Sequence, residues 1–208
     1  MENIKELMQW RFACKSFDSA KMISDEDLND LLDTARLSPS SFGVQAWKMV
    51  VVMNKELREK LAPVCYNQPQ IMQASALVFF CARTDLLGEQ GMVQKFIESY
   101  KMVAGKTDQD VAGYRDMIIG TVNQKGVEGA LNWVQKQVYL SVETLILAAA
   151  EKGIDSCPME GFDPAGVAKV LELPEYMHPT VLVSLGYRNM EAPKKVRFAL
   201  DEVVEIRK

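Results

Sequence analysis

The 208-residue chain contains a single histidine, His178. That scarcity removes every multi-histidine metal site, and no H-E-x-x-H sequence occurs. A Ser-His-Asp triad would have to use His178, which lies in the loop-like stretch LPEYMHPT, and there is no G-x-S-x-G elbow to present a nucleophile. Cysteine is also sparse. Cys14, Cys65, Cys81 and Cys157 form no C-x-x-C pair, so they suggest neither a metal framework nor a disulfide scaffold and read as buried free thiols. G-x-G-x-x-G and Walker A sequences are absent, so any phosphate bound here is held by a geometry other than a glycine cradle. Uncharged apolar runs of membrane-spanning length are missing too. The most apolar long segment, Trp133 to Ala150, contains Gln135, Lys136, Gln137 and Glu143, and reads as a buried helix rather than a membrane span. A net charge of -4 gives no bulk attraction to nucleic acid or to an anionic membrane. MENIKELMQW lacks a basic stretch followed by an apolar run, so no signal peptide is expected and the cytoplasm is the expected compartment.

What is present is the composition of an ordinary globular protein, 48% apolar and 25% charged, long enough for one large core. Leu28, Leu31, Leu32 and Ala35 have helical spacing behind a Ser24/Asp27 capping box, and that helix ends before Pro39. Trp47–Met53 (WKMVVVM) reads as a buried strand. Asn54 caps a helix bearing Leu57 and Leu61, and Ala76–Ala82 (ALVFFCA) is a second strand. Residues 88 to 124 are weakly helical, with Phe96, Tyr100 and Tyr114, and read as an insertion packed on the body. Gly126 to Lys152 is a long helix capped by Gly153, and its apolar circumference suits a core or a subunit interface. Asp163-Pro164 starts another helix. Thr180–Arg188 is a third strand and VVEIR near the end a fourth. With no repeat, linker or low-complexity tract, the expectation is a single α+β domain over residues 1–208, helix-rich around a small sheet.

Three stretches carry polar chemistry. In LSPSSFGVQAWKMVVV, from Leu37 to Val52, hydroxyls and a conformationally free Gly43 join a helix to a strand, as a capped loop or as a cradle. Arg11 and Lys15 in WRFACKSFD, with Lys194, Lys195 and Arg197 in APKKVRF, form a monophosphate clamp if they converge and solvated surface charge if they do not. In SCPMEGF, Cys157, Pro158 and Met159 give an apolar face, and Gly161 permits close approach to a ligand or simply a plain loop.

Taken together, and in this order, the motifs resemble those of the FMN-dependent, oxygen-insensitive nitroreductase family, with the nearest likeness to its enteric-type and dihydropteridine-reductase-like members. They are R-x-x-x-K-x-F-D from Arg11 to Asp18, P-S-S-x-x-x-Q-x-W from Pro39 to Trp47, Asn67, K-Q-V-Y-L from Lys136 to Leu140, G-I-D-S-C-P-M-E-G-F-D from Gly153 to Asp163, and K-x-R from Lys195 to Arg197. The resemblance spans nearly the whole chain. It implies an α+β sandwich with a mostly antiparallel sheet, intertwined as a homodimer with two FMN sites at the interface. It implies that Arg11, Lys195 and Arg197 hold the FMN phosphate and that Lys15 lies at the N1–O2 edge of the ring. Asn67 would then address the pyrimidine edge, backbone groups of Glu160 and Gly161 would face N5 and O4, and Pro158 and Met159 would pack on a ring face. Pro39, Ser40 and Ser41 would reach the neighbour's flavin, with Gln45 fixing their turn, and Tyr114 would line the substrate channel.

The sequence departs from the family pattern at Phe12-Ala13, where a polar pair is usual, at Gly43 for Asn, at Ala46 for Pro, and at Gln70 for a second Lys beside the flavin. One ammonium rather than two then faces the anionic reduced ring. The implied activity is transfer of a hydride from NAD(P)H to flavin N5 and on to a nitroaromatic, quinone or related acceptor, in ping-pong order, with no side chain acting as acid or base and no metal. A flavin-storing or regulatory protein without turnover would carry the same clamp.

Overall fold

A computed structural model describes residues 3–208. The elements in chain order are α1 (Ile4–Trp10), α2 (Asp25–Arg36), β1 (Trp47–Val52), α3 (Lys55–Val64), α4 (Gln70–Gln73), β2 (Ala76–Arg83), α5 (Met92–Ala104), α6 (Asp108–Glu151), β3 (Asp155–Met159), α7 (Pro164–Val170), β4 (Met177–Gly186) and α8 (Leu200–Val203). The strands form one sheet in the order β1-β2-β4-β3, with every pairing antiparallel.

Period-2 alternation assigns each face of this sheet its own core. Along β2, Ala76, Val78, Phe80 and Ala82 enter one cluster with α2, α5 and α6 residues such as Leu31, Ile97, Val138 and Leu145. Leu77, Phe79 and Cys81 enter the other, with Leu61 of α3, Val167 of α7 and Met159 of β3. β2 is buried almost throughout, as its unbroken apolar run requires. Each fully buried Phe or Leu side chain contributes roughly 1.5–3 kcal/mol. Helices cover both faces of a small antiparallel sheet, which is the α+β sandwich expected from the sequence.

The capping signals are realised. The Ser24 Oγ accepts from the Asp27 N–H at 3.0 Å, and Asp163 caps α7 with Pro164 at its first turn. Gly153, at φ 68°, ends α6 in a Schellman motif: its N–H donates to the Ala150 carbonyl, and that of Ile154 donates to Ala149.

Three expectations are corrected. The long helix begins not at Gly126 but at Asp108, behind a Thr107/Asp110 capping box, and runs 44 residues. Gly126 interrupts it at φ 64°, ψ -177°, a conformation essentially confined to glycine. The residue that read as a helix start is therefore a break within a longer helix. The stretch Asp155–Met159, read as loop, is the edge strand β3. VVEIR is not a strand: the tail carries the short α8 and then continues without pairing.

Candidate cofactor site

After α1 the chain runs extended, with Phe12 and Cys14 turned into the core while Ala13 and Lys15 face outward. The Cys14 N–H donates to the Ser156 carbonyl at 3.0 Å, and Ala13 pairs in parallel with Ser156. This short ladder lays Lys15 beside β3, where its Nζ donates to the Cys157 sulfur at 3.3 Å. Residues 142 positions apart thereby meet.

The turn between α3 and α4 reaches the same strand from the other side. Tyr66 and Asn67 both adopt left-handed backbone, φ 56° and 52°, which reverses the chain tightly. Gln68 Nε2 then donates to the Gly161 carbonyl at 2.6 Å, and the Asp163 N–H donates to Val64 at 2.8 Å. The turn thus ties down the loop after β3. Asn67 is exposed. Gln70 is buried, at 3% exposure, with Nε2 4.0 Å from the Cys157 sulfur and Oε1 without a partner among the described residues.

At the end of β3, Met159 is spent in the second core cluster and Ser184 Oγ lies 3.8 Å from its sulfur. Strand alternation turns the half-buried Pro158 the opposite way. The Glu160 carboxylate accepts a short hydrogen bond from the Tyr139 hydroxyl. Burial first, and that carboxylate second, push the phenol up to about 12. Glu160 and Gly161 are exposed.

The basic residues do converge. Lys195 Nζ donates to the Met8 carbonyl at 2.6 Å and to the Arg11 carbonyl, at the end of α1. Partial burial, then the charges of Arg11 and Arg197, lower the Lys195 ammonium below its ordinary range. The Arg11 Nε is buried without a partner. None of the three forms an ion pair with a carboxylate among the described residues. Of the three, Lys195 alone grips carbonyls of a distant segment; the Arg197 guanidinium donates to the carbonyl of its neighbour Val196.

The serine turn lies elsewhere in the protomer. Ser40 Oγ accepts from the Gln45 N–H at 3.0 Å, the Ser41 N–H donates to Gln137 Oε1 at 2.8 Å, and Gln45 Nε2 donates to the Arg36 carbonyl at 2.7 Å. Phe42, Gly43 and Gln45 are all left-handed, and a side chain on Gly43 would meet the Phe96 ring at 2.9 Å. Tyr114 donates its hydroxyl to the Phe42 carbonyl at 3.1 Å and packs edge-on against the Phe42, Phe96 and Tyr100 rings. Among the described residues, no hydrogen bond runs from this turn to Arg11, Lys15, Gln70, Lys195 or Arg197. Direct contacts within one protomer therefore join Lys15 and Gln70 at Cys157 and tie Lys195 to the Arg11 backbone, while Ser40, Ser41, Gln45 and Tyr114 bond to other partners and Met159 faces the core.

His178 Nε2 pairs with Thr84 Oγ1 at 3.0 Å, and burial lowers its pKa. The described residues hold no group of three or more metal-ligating side chains. The sequence reading missed the polar side of Cys157 and the clamps made by Gln68 and Tyr139. A cysteine in an apolar tripeptide carries no mark of such a role; Tyr139 lies within the K-Q-V-Y-L motif, which did point to it.

The chain is similar to known proteins over nearly its whole length. A protein of Staphylococcus haemolyticus that bears the name of an NAD(P)H nitroreductase is 35% identical over 98% of this chain and 97% of its own length. One of Staphylococcus epidermidis with the same kind of name is 38% identical over 98% and 96%. An Exiguobacterium sibiricum nitroreductase-type structure, solved in complex with FMN, superposes with a TM-score of 0.86 at 21% identity, covering 100% of this chain and 98% of that one. The model of the Nitroreductase family matches residues 8–187, and with relatives this similar over almost their full length, the chain belongs to the nitroreductase family.

Proposed function

We propose that the protein is an FMN-dependent NAD(P)H oxidoreductase that reduces nitroaromatics, quinones or related acceptors. The observation that carries this reading is the trio Arg11, Lys195 and Arg197, which no carboxylate answers among the described residues, together with two buried, unpartnered polar atoms, Arg11 Nε and Gln70 Oε1. A buried polar group without a partner costs about 1–3 kcal/mol, so both atoms fit a ligand that is polar where they lie. A phosphate suits the trio, and a ring edge rich in carbonyl and nitrogen groups suits Lys15 and Gln70. The relatives bear NAD(P)H nitroreductase names, and the Exiguobacterium structure binds FMN.

FMN would supply the exchange of a hydride equivalent between donor and acceptor. The chain's own residues would bind and orient it: the trio at the phosphate, Lys15 and Gln70 at the N1–O2 edge, Asn67 at the pyrimidine edge. Backbone groups of Glu160 and Gly161 would lie at the N5–O4 edge. Pro158 would face the ring, while Met159 supports it from the core. Lys15 supplies positive charge that favours the reduced form.

The working unit is a homodimer. Pro39, Ser40 and Ser41 sit apart from the protomer's own basic cluster. The tail beyond Arg188 is exposed and carries Val196, Phe198, Leu200, Val203 and Ile206 uncovered. A second copy covers that apolar arm and lends its serine turn to the neighbouring site, with Tyr114 and Phe42 lining the approach for acceptors. No helix among the described residues is long and apolar enough to cross a membrane.

The test is a spectrum of the purified protein, followed by anaerobic titration with NADH and NADPH. The protein is expected to be yellow, to release FMN on heating, to bleach with a reduced nicotinamide and to recolour with a quinone. Release of FAD, or a colourless protein that takes up no FMN, overturns the reading. Bound FMN that no nicotinamide reduces leaves a flavin-binding protein without turnover.

A further inference from the structure

Lys15 and Gln70 come from distant parts of the chain and meet at one atom. Lys15 Nζ donates to the Cys157 sulfur at 3.3 Å, and Gln70 Nε2 approaches the same sulfur at 4.0 Å. The cysteine is fully buried and fixed by its strand: its N–H and carbonyl belong to β3, and its carbonyl also accepts from Ser184 Oγ at 3.4 Å. Gln70 is 97% buried with Oε1 unanswered among the described residues. Turning that amide over gives Oε1 the Cys157 S–H and leaves Nε2 as the free donor. In either orientation the sulfur satisfies one end of Gln70, and the other end is available to a ligand.

We propose that Cys157 is a positioning residue of the cofactor site: its sulfur holds the Lys15 ammonium and the Gln70 amide in place, and through Lys15 it sets the reduction potential of bound FMN. The inference rests on the FMN reading above. A lysine has four rotatable side-chain bonds and loses much entropy on being fixed. An ammonium that wanders into solvent is screened, whereas one anchored on a rigid strand keeps its field on the bound ring. Two electrons added to the ring make it more negative, so an anchored cation favours the reduced form and raises the potential. The sulfur is a soft, weak acceptor, so it localises the ammonium without neutralising it as a carboxylate would.

The test is the midpoint potential and FMN dissociation constant of four proteins: Cys157→Ala, Cys157→Ser, Lys15→Met and the Lys15→Met/Cys157→Ala double variant. Circular dichroism and thermal unfolding of each confirm the fold. Cys157→Ala is expected to reduce the ratio of reduced to oxidised FMN at fixed poise about tenfold, which is about 30 mV for a two-electron couple. Cys157→Ser, which keeps an acceptor in place, is expected to stay close to wild type. Lys15→Met is expected to lower the potential further, and adding Cys157→Ala to it to change nothing more, because the two act as one unit. A wild-type potential in Cys157→Ala overturns the inference while leaving the FMN reading intact. So does an equal shift from Cys157→Ala in the Lys15→Met background, since the sulfur would then act without Lys15. A wild-type protein that takes up no FMN overturns both.

Discussion

Arg58 and the trio Arg11, Lys195 and Arg197 are cations that no carboxylate answers among the described residues, yet they sit in opposite circumstances. Arg58 is buried in α3, and its guanidinium donates to the carbonyls of Ala74, Ser75 and Val52, the last at 3.3 Å. Burial lowers its pKa. Its three acceptors are the turn after α4 and the end of β1, so the charge is consumed in closing the α4–β2 corner that carries Gln70. Lys195 also grips carbonyls, but it and Arg197 are exposed, and the charges of Arg11 and Arg197 lower its pKa. A guanidinium ringed by its own backbone is a structural bolt; the trio is the phosphate site proposed above. The difference shows that absence of a carboxylate partner does not by itself mark a ligand site. Nor does one unpartnered nitrogen, since the Arg58 Nε is buried without a partner among the described residues as the Arg11 Nε is; what separates them is that both terminal nitrogens of Arg58 are already spent on backbone carbonyls.

The sharpest way to break the comparison is Arg58→Met. It strands three carbonyls in a dry corner, each costing about 1–3 kcal/mol when left unanswered. Stability is expected to fall by about 3 kcal/mol or more, in chemical denaturation of the FMN-free protein, with loss of Gln70 placement following from loss of the corner. A stable Arg58→Met protein would make this guanidinium as dispensable to the fold as the trio.

The trio and the serine turn are next. An Arg11→Ala/Arg197→Ala variant and a Ser40→Ala/Ser41→Ala variant are each expected to lose most activity as pure dimers. A verified mixed dimer of the two carries one site with both lesions and one with neither, and is expected to show about half the wild-type activity per dimer if the turn serves the neighbouring protomer. Such interfaces run on the order of 2,000–5,000 Å², so the wild type is expected to sediment as a dimer at all practical concentrations. No recovery in the mixed dimer, or a fully active monomer, rejects the shared site.

Arg197→Ala alone is a smaller perturbation. A hydrogen bond to a charged group contributes about 1.5–3 kcal/mol, so FMN affinity is expected to weaken by about tenfold or more in fluorescence titration. The thermal midpoint without FMN is expected to hold or rise slightly, since a repelling neighbour of Lys195 has gone. The opposite pattern, lower stability with unchanged FMN affinity, would place Arg197 with Arg58.

Much of this was legible in sequence where one local signal decides the matter. Ser24, Asn54, Asp163-Pro164 and Gly153 each act within a turn of their own helix, and the apolar runs WKMVVV and ALVFFC mark strands. Legibility failed where the deciding partner is remote. Pro158 argues against a strand until β3 is seen to lie at the edge of the sheet, where a missing N–H is tolerated. VVEIR has strand composition but pairs with no strand of its own protomer. Gly126 punctuates a helix without ending it, because neighbouring turns on both sides are packed. Arg11, Lys15, Lys195 and Arg197 were singled out by their chemistry and their motif; the fold ties Lys195 to the Arg11 backbone and Lys15 to Cys157. Cys157 was read as apolar because its polar role exists only once Ala13 pairs with Ser156 and swings Lys15 alongside. Arg58 was not singled out, since the carbonyls that trap it lie outside its own helix in sequence.

The finest distinction between the two kinds of cation is their response to pH. Burial, Arg11 and Arg197 lower Lys195 below the ordinary lysine value of 10.5. With the folded pKa depressed, the protonated form carries a penalty in the folded state at neutral pH. That penalty is relieved as pH rises from the lowered value towards 10.5, because the unfolded chain holds the proton more tightly there. A bound phosphate reverses the balance: its negative charge draws the Lys195 pKa back up, so FMN binding takes up a proton within that window. FMN affinity is therefore expected to fall as pH rises through the lowered pKa, by at most about tenfold per pH unit for one proton. Lys195→Arg keeps its charge throughout the range, and its FMN affinity is expected to be flatter over the same pH interval. The difference between the two titrations isolates Lys195 from any other group that ionises there. Identical pH profiles for the wild type and Lys195→Arg would show that the Lys195 charge is, like that of Arg58, spent on carbonyls rather than on the phosphate.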